Sequence, residues 1–274
     1  MRDIKYLKNY LNKVLAKTDN HNYVFLFLDY DGTLVEIKKT TQKAIPSPEL
    51  KKIILKLDKS KNIITTIVSG RSIRDLLNFF GNLSLKRTNW VGSHGAEIKY
   101  PDSDIFWVES VRKSLFYIKK LKEKIARMLK DIPCYHIEDK EVSFAIHYRN
   151  CGPEEVKKIS EIVNLLDGYK KKFPIDYMDM KKVIEVKPPD INKGKSVSKI
   201  KNKYCNALNL NIGEYIVICI GDDVTDEYMF MENMNGINIK VASDESIKSK
   251  AEYYLKTVSE VHDFLKKYFK IEKF

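Results

Sequence analysis

The sequence predicts an α/β protein built on a doubly wound parallel sheet and interrupted by a smaller α+β insert. Short, nearly all-apolar runs recur at Tyr23–Leu28, Ile63–Val68 and Tyr215–Ile220, as in strands buried on both faces. Helical stretches separate them, the alternation that builds parallel sheets. Between about residues 98 and 186 the pattern changes, with helical stretches near 110–130 and 153–167 and strand-like ones at 142–148 and 182–187. The expected layout is an N-terminal helix in 1–22, a core formed by 23–97 and 187–274, and an insert over 98–186.

Each element has a local reason. Over residues 2–17, Ile4, Leu7, Leu11, Val14 and Leu15 fall at helical spacing among Lys5, Lys8, Lys13 and Lys17. This reads as an amphipathic helix packed on the core, with a membrane-surface role as the alternative. The strand at Tyr23–Leu28 ends at acidic residues. A helix then follows Ser47-Pro48-Glu49, where Ser47 can cap and Pro48 suits the first helical position. Ile63–Val68 ends in Ser69-Gly70-Arg71, and a third short strand near Trp90-Val91 ends in Gly92-Ser93-His94-Gly95. Asn192-Lys193-Gly194-Lys195 opens another helical stretch, and Tyr215–Ile220 ends in Gly221-Asp222-Asp223.

Composition narrows the function classes. At 274 residues and 43% hydrophobic, the chain can bury a sizeable core. Lys plus Arg is 49 against 37 for Asp plus Glu, a net charge of +12. The lysines are scattered, no basic stripe carries interleaved aromatics and no nucleic-acid motif is present, so nucleic acid is not expected as a partner. The charge solvates the surface and helps attract phosphates. The apolar runs are too short to span a bilayer, and the charged N-terminus lacks the apolar stretch of a signal peptide. Cys134, Cys151, Cys205 and Cys219 show no Cys-x-x-Cys spacing; reduced structural thiols in a cytoplasmic protein are expected. A monomer is expected.

Asp29, Asp31, Ser69, Asp222 and Asp223 all fall just past the ends of buried strands. In open parallel sheets ligands bind in the crevice beyond those ends, so these groups should converge. Asp29 and Asp31 are two apart and face one side of a strand. One carboxylate can attack phosphorus, and the other can protonate the leaving oxygen and then deprotonate water. Facing a phosphate dianion they need a cation, and Mg²⁺ is the hard, oxygen-liganded choice. Asp222 and Asp223 can complete its site, because adjacent carboxylates after a buried strand are costly without one. Ser69, with Gly70, precedes a helix and can bind phosphate or simply cap. Lys193 can hold a phosphate as a point charge or lie exposed. Read by itself, Asp-x-Asp is equally a turn or a cap.

Together these motifs resemble those of the trehalose-6-phosphate phosphatases within the haloacid dehalogenase superfamily. The matching stretches are Asp29-Tyr30-Asp31-Gly32-Thr33-Leu34, Ser69-Gly70-Arg71, Lys193 in Ile191-Asn192-Lys193-Gly194, and Gly221-Asp222-Asp223-Val224-Thr225-Asp226-Glu227-Tyr228-Met229-Phe230. The last is the most specific to the narrower family. Gly92-Ser93-His94-Gly95-Ala96-Glu97, His147-Tyr148-Arg149 and Val183-Ile184-Glu185-Val186-Lys187-Pro188 add to it, although Ile146 stands where the family pattern has Trp. The resemblance runs from about residue 23 to Val241.

The resemblance implies a HAD-like Rossmannoid core with an inserted α+β cap. It implies a Mg²⁺-dependent phosphatase for trehalose 6-phosphate, working through an aspartyl-phosphate. Asp29 would be nucleophile and metal ligand, and Asp31 the general acid/base with its carbonyl on Mg²⁺. Asp222 would be a further ligand, with Asp223 binding the metal or orienting its shell. Thr33, Ser69, Gly70 and Lys193 would hold the phosphoryl group. Arg71, Glu97, Arg149, Lys181 and Glu185 would contact substrate, the alternative for the cap residues among them being exposed charges. Competing readings are a phosphatase for sucrose-6-phosphate or a mannosyl phosphate, a sugar phosphotransferase or mutase, and a silent sugar-phosphate-binding domain.

Overall fold

The structure, a computed structural model, describes residues 4–18, 21–38, 41–81, 83–140, 142–180, 182–244, 246 and 248–270. The chain falls into two compact units, Met1–Phe106 with Asn192–Phe274, and Trp107–Ile191. In order the elements begin β1 (Lys5–Tyr6), α1 (Leu11–Thr18), β2 (Tyr23–Asp29), α2 (Pro48–Lys59), β3 (Ile63–Val68) and α3 (Ile73–Phe80). Then come β4 (Asn89–Gly92), β5 (Glu97–Lys99), β6 (Phe106–Trp107), α4 (Glu109–Met128), β7 (His136–Asp139) and β8 (Phe144–His147). Next are α5 (Pro153–Lys170), β9 (Asp176–Met180), β10 (Val183–Lys187), α6 (Lys193–Leu208) and β11 (Tyr215–Gly221). The last are α7 (Glu227–Glu232), β12 (Ile237–Val241), β13 (Tyr253–Leu255) and α8 (Val258–Tyr268).

The first unit is a Rossmannoid sheet in the order β1-β13-β12-β11-β2-β3-β4-β5-β6. β2 lies between β11 and β3, parallel to both. Its residues alternate between two covered faces. Leu26 and Leu28 join Leu50, Ile53 and Leu57 of α2 and Val261, Phe264 and Leu265 of α8 in one core. On the other face Phe25 meets the rings of Tyr204 and Tyr215 edge-on. Such double burial leaves no polar position inside the strand, which is why β2 reads as an unbroken apolar run. Register then sets the site. Leu28 pairs with Ile220, and Asp29 with Val68. The ends of β2, β3 and β11 therefore lie level, carrying Asp29, Ser69 and Asp222.

Three expectations change. The N-terminal segment is not one helix: β1 pairs parallel with β13, a 3₁₀ turn covers Leu7–Tyr10, and only Leu11–Thr18 is α-helical. Leu7 and Val14 still enter the core, so the apolar spacing reported burial correctly and conformation only partly. The insert begins later than residue 98, because β5 pairs antiparallel with β4 and belongs to the large sheet. Its far boundary falls at Ile191 rather than 186, since Lys187 is still paired with Asp176. Finally, Cys134 and Cys151 form a disulfide rather than free thiols. They lie 17 positions apart, a spacing without a motif, and the fold of the second unit brings them together. Cys205 and Cys219 are free.

The second unit is a four-stranded antiparallel sheet in the order β7-β8-β10-β9. Phe144, Ile146, Ile184 and Val186 pack there with Ile118, Leu121 and Ile125 of α4 and Ile162 and Leu166 of α5. β7 and β9 were not foreseen. His-Ile-Glu-Asp has one apolar residue, and the apolar residues of Asp-Tyr-Met-Asp-Met do not alternate, so neither announces a strand. No helix among the described residues is long and apolar enough to cross a membrane.

Candidate active site

Asp29 is the last residue of β2 and is buried. One oxygen, Oδ1, accepts a hydrogen bond from Lys193 Nζ at 2.6 Å. The other, Oδ2, is buried with no hydrogen-bond partner. Lys193 begins α6, whose cap is Asn192, with Oδ1 accepting from Lys195 N at 2.9 Å. The helix thus delivers Lys193 inward, only 3% exposed, and the exposed-lysine alternative fails. Its second partner is Asp226 Oδ1 at 2.7 Å. Burial pulls the ammonium toward its neutral form, but Asp29 and Asp226 outweigh this and leave Lys193 above its ordinary pKa.

Asp226 is the functional residue that sequence reasoning undervalued. It is fully buried. Its Oδ2 accepts from both Asp222 N and Asp223 N at 2.9 Å, so it shapes the turn after β11 while gripping Lys193. The available signal was its place in the Asp222–Glu227 run, whose four acids exceed what a cap requires.

Oxygens of Asp29, Asp222 and Asp226 lie within 4.8 Å of one another. This cluster can hold a divalent cation. Both Asp226 oxygens already accept protein donors, so the vacancy belongs to Asp29 and Asp222. Three carboxylates against one lysine leave negative charge in excess, and Asp29 Oδ2 is orphaned. Such a donor set fits a hard cation. Gly32 makes the approach possible: its φ is +82°, and a Cβ there would lie 2.1 Å from Asp222 Oδ2. Thr33, fully buried, reaches Asp222 Oδ1 at 3.4 Å. Asp223 stands apart from the triad. Its carboxylate accepts from Val224 N and caps the turn.

Burial pushes Asp29 well above its ordinary range, and the Asp226 and Asp222 charges add to this against the pull of Lys193. Burial, then Asp226, pushes Asp222 up to about 6. A raised carboxyl favours the folded state while protonated. Its contribution is full below the unfolded value and is lost as pH rises through about 6. A bound cation needs the ionised form. The Mg²⁺-induced rise in melting temperature should therefore grow as pH climbs through that value. Thermal scans with and without Mg²⁺ on either side of it check this, and an equal shift on both sides counts against it.

The second strand end supplies the opposing wall. Ser69 is buried, and its Oγ accepts from Arg71 N at 3.1 Å. Ser72, not Ser69, caps α3, by accepting from Asp75 N. Ser69 is thus released from the capping role sequence had allowed it. Gly70 faces the His94 ring, which a Cβ would approach to 2.6 Å. Arg71 donates to both Asp31 oxygens at 2.6 Å, and its guanidinium lies over the rings of Tyr30 and Phe79. A bidentate, ring-flanked arginine holds a carboxylate's direction as well as its charge.

The remaining expected residues divide. Glu97 lies in β5 of the first unit, 3% exposed. Its carboxylate accepts from Ile73 N at 2.6 Å and Ser93 Oγ at 3.3 Å, tying the turn after β4 to the start of α3. Glu185 and Arg149 belong to the second unit. Glu185, in β10, accepts from Lys140 Nζ at 3.2 Å and Ser143 Oγ at 3.0 Å. Arg149 is exposed in the turn after β8. Lys181 lies outside the described residues.

Residues 27–259 match the family model described as trehalose-phosphatase. The chain belongs to the trehalose-phosphatase family. It is 31% identical over 258 residues to the probable trehalose-phosphate phosphatase I of Arabidopsis thaliana, covering 89% of this chain and 67% of that one. It is 31% identical over 242 residues to alpha,alpha-trehalose-phosphate synthase [UDP-forming] B of Dictyostelium discoideum. That match covers 86% of this chain but 29% of the relative, so this chain spans under a third of that protein's length. Among solved structures, the Aspergillus fumigatus trehalose-6-phosphate phosphatase superposes with a TM-score of 0.82 at 23% identity, covering 98% of this chain and all of the other. That likeness places this family member in the HAD-like fold.

Proposed function

We propose that this chain is a Mg²⁺-dependent phosphatase that hydrolyses trehalose 6-phosphate through a phosphoryl group carried on Asp29. The observation that carries the reading is Asp29 itself: buried at a strand end, with one oxygen on Lys193 and the other unpartnered beside Asp222. The family match and the phosphatase relatives support the substrate.

Asp29 attacks phosphorus and the bond to the sugar oxygen breaks, with the proton for that oxygen coming from Asp31. Water then attacks the aspartyl-phosphate, Asp31 takes its proton, and phosphate leaves with Asp29 restored. Arg71 keeps Asp31 oriented through this exchange, giving up one hydrogen bond while Asp31 serves the substrate. Lys193 neutralises the phosphoryl oxygens, with Thr33, Ser69 and Gly70 holding them. Asp29, Asp222 and the Asp31 carbonyl would hold Mg²⁺, with Asp223 orienting its shell, and the ion when bound would supply charge neutralisation and alignment of the phosphate. Arg149, Lys181 and Glu185 recognise sugar hydroxyls, where carboxylates accept and cations donate. Glu97 is assigned to holding the turn beside Ser69.

A phosphate-release panel over trehalose 6-phosphate, sucrose-6-phosphate, glucose-6-phosphate and glycerol phosphates tests this. Trehalose 6-phosphate should show the highest kcat/KM and free phosphate should match trehalose formed. A flat profile refutes the substrate, and a phosphorylated acceptor sugar would instead mark a phosphotransferase.

A further inference from the structure

Lys240 lies in β12, where its register partner is Gly221 at the end of β11. Ile237, Ile239 and Val241 alternate with it toward the opposite face, and on its own face Lys240 lies over the Phe230 ring, only 5% exposed. A lysine charge in such surroundings is costly, and an apolar residue would pack there at lower cost. The ammonium has a specific task. It donates to the carbonyl oxygen of Asp223 at 2.8 Å and pairs with Glu227 Oε1 at 3.3 Å. Glu227 is held in turn by Ser249 Oγ and by Lys250 N, both at 2.7 Å.

The Asp222–Asp223 segment is therefore gripped from two directions. Asp226 takes its N–H groups, and Lys240 takes the next carbonyl. Asp222 carries a carboxylate of the acidic triad, so the orientation of this segment sets where that carboxylate stands. We infer that Lys240 is a positioning residue that preorganises the Asp222–Asp223 segment for the divalent cation, an inference resting on the cation site proposed above.

Partners one step removed from a metal commonly change its affinity about ten- to a hundredfold when removed. Calorimetric titration of Mg²⁺ into the protein without substrate reads this directly. Lys240→Met should weaken Mg²⁺ by about tenfold or more, and Lys240→Arg should recover most of the loss. Glu227→Gln keeps the bond to the Asp223 carbonyl and should stay close to wild type. Should Lys240→Met fail to fold, Lys240→Gln, which shortens the side chain and removes its charge, takes its place in the same titration and should weaken Mg²⁺ likewise. A folded Lys240→Met variant with unchanged Mg²⁺ affinity and only a lower melting temperature overturns the inference. So does a Glu227→Gln loss as large as that of Lys240→Met. Absence of Mg²⁺ binding by the wild type would instead overturn the cation site itself. Failure to release phosphate from trehalose 6-phosphate would overturn the substrate and leave the titration result standing.

Discussion

Asp29→Asn should lower phosphate release by about four orders of magnitude or more while the protein stays folded. Asparagine keeps the shape and can still offer Lys193 an oxygen where Asp29 Oδ1 now accepts at 2.6 Å. Its amide cannot attack phosphorus. Stability should hold or rise without metal. Burial first, then Asp226 and Asp222, disfavours the Asp29 charge, and the substitution removes that charge. Single-turnover phosphate release with a thermal scan of the same preparation decides the matter. Undiminished release would remove Asp29 from the chemistry. A lost signal accompanied by a collapsed melting transition would show that it serves the fold.

Lys193→Met should have the largest effect on stability. The substitution leaves Asp29 and Asp226 buried with no cation between them, and breaking one side of such a network costs about 3–5 kcal/mol. Lys193 touches both carboxylates, at 2.6 and 2.7 Å, so activity should fall with stability. The damage is specific. Adding Asp226→Asn removes one stranded charge and should recover part of the stability, while activity stays low because the phosphoryl group still lacks its cation. Urea unfolding of the single and double variants gives the coupling. An unchanged midpoint for Lys193→Met would mean that the charges are not interdependent.

Much of this site was legible from local chemistry. Burial on both faces makes β2 and β11 apolar runs and β3 nearly so, with only Thr65 and Thr66 interrupting it, so the polar residue that closes each run marks a strand end. Parallel pairing brings such ends together, which makes Asp29, Ser69 and Asp222 candidates from the sequence alone. Ser47 and Pro48 also announced the start of α2 correctly, with Ser47 Oγ accepting from Leu50 N. Less of the second unit was legible. β7 is polar and mostly exposed, and β9 places Tyr177 beside Met178 without alternation, so periodicity carries no signal in either.

Residue type and spacing alone mark the four adjacent strands β11, β2, β3 and β4, the residues at their carboxyl edge and the class of chemistry they suit, because burial and strand pairing act through them. How those residues divide the work depends on the packed fold. Asp226, rather than Asp223, completes the buried triad; Arg71 takes hold of Asp31; Glu97 turns inward to the start of α3; and Lys240 reaches the Asp223 carbonyl. The physical reason is that hydrogen-bond partnership depends on side-chain direction across strands far apart in the chain. A carboxylate free to bind a cation and one already saturated by donors look the same in a sequence, and they differ only in which donors the fold places beside them.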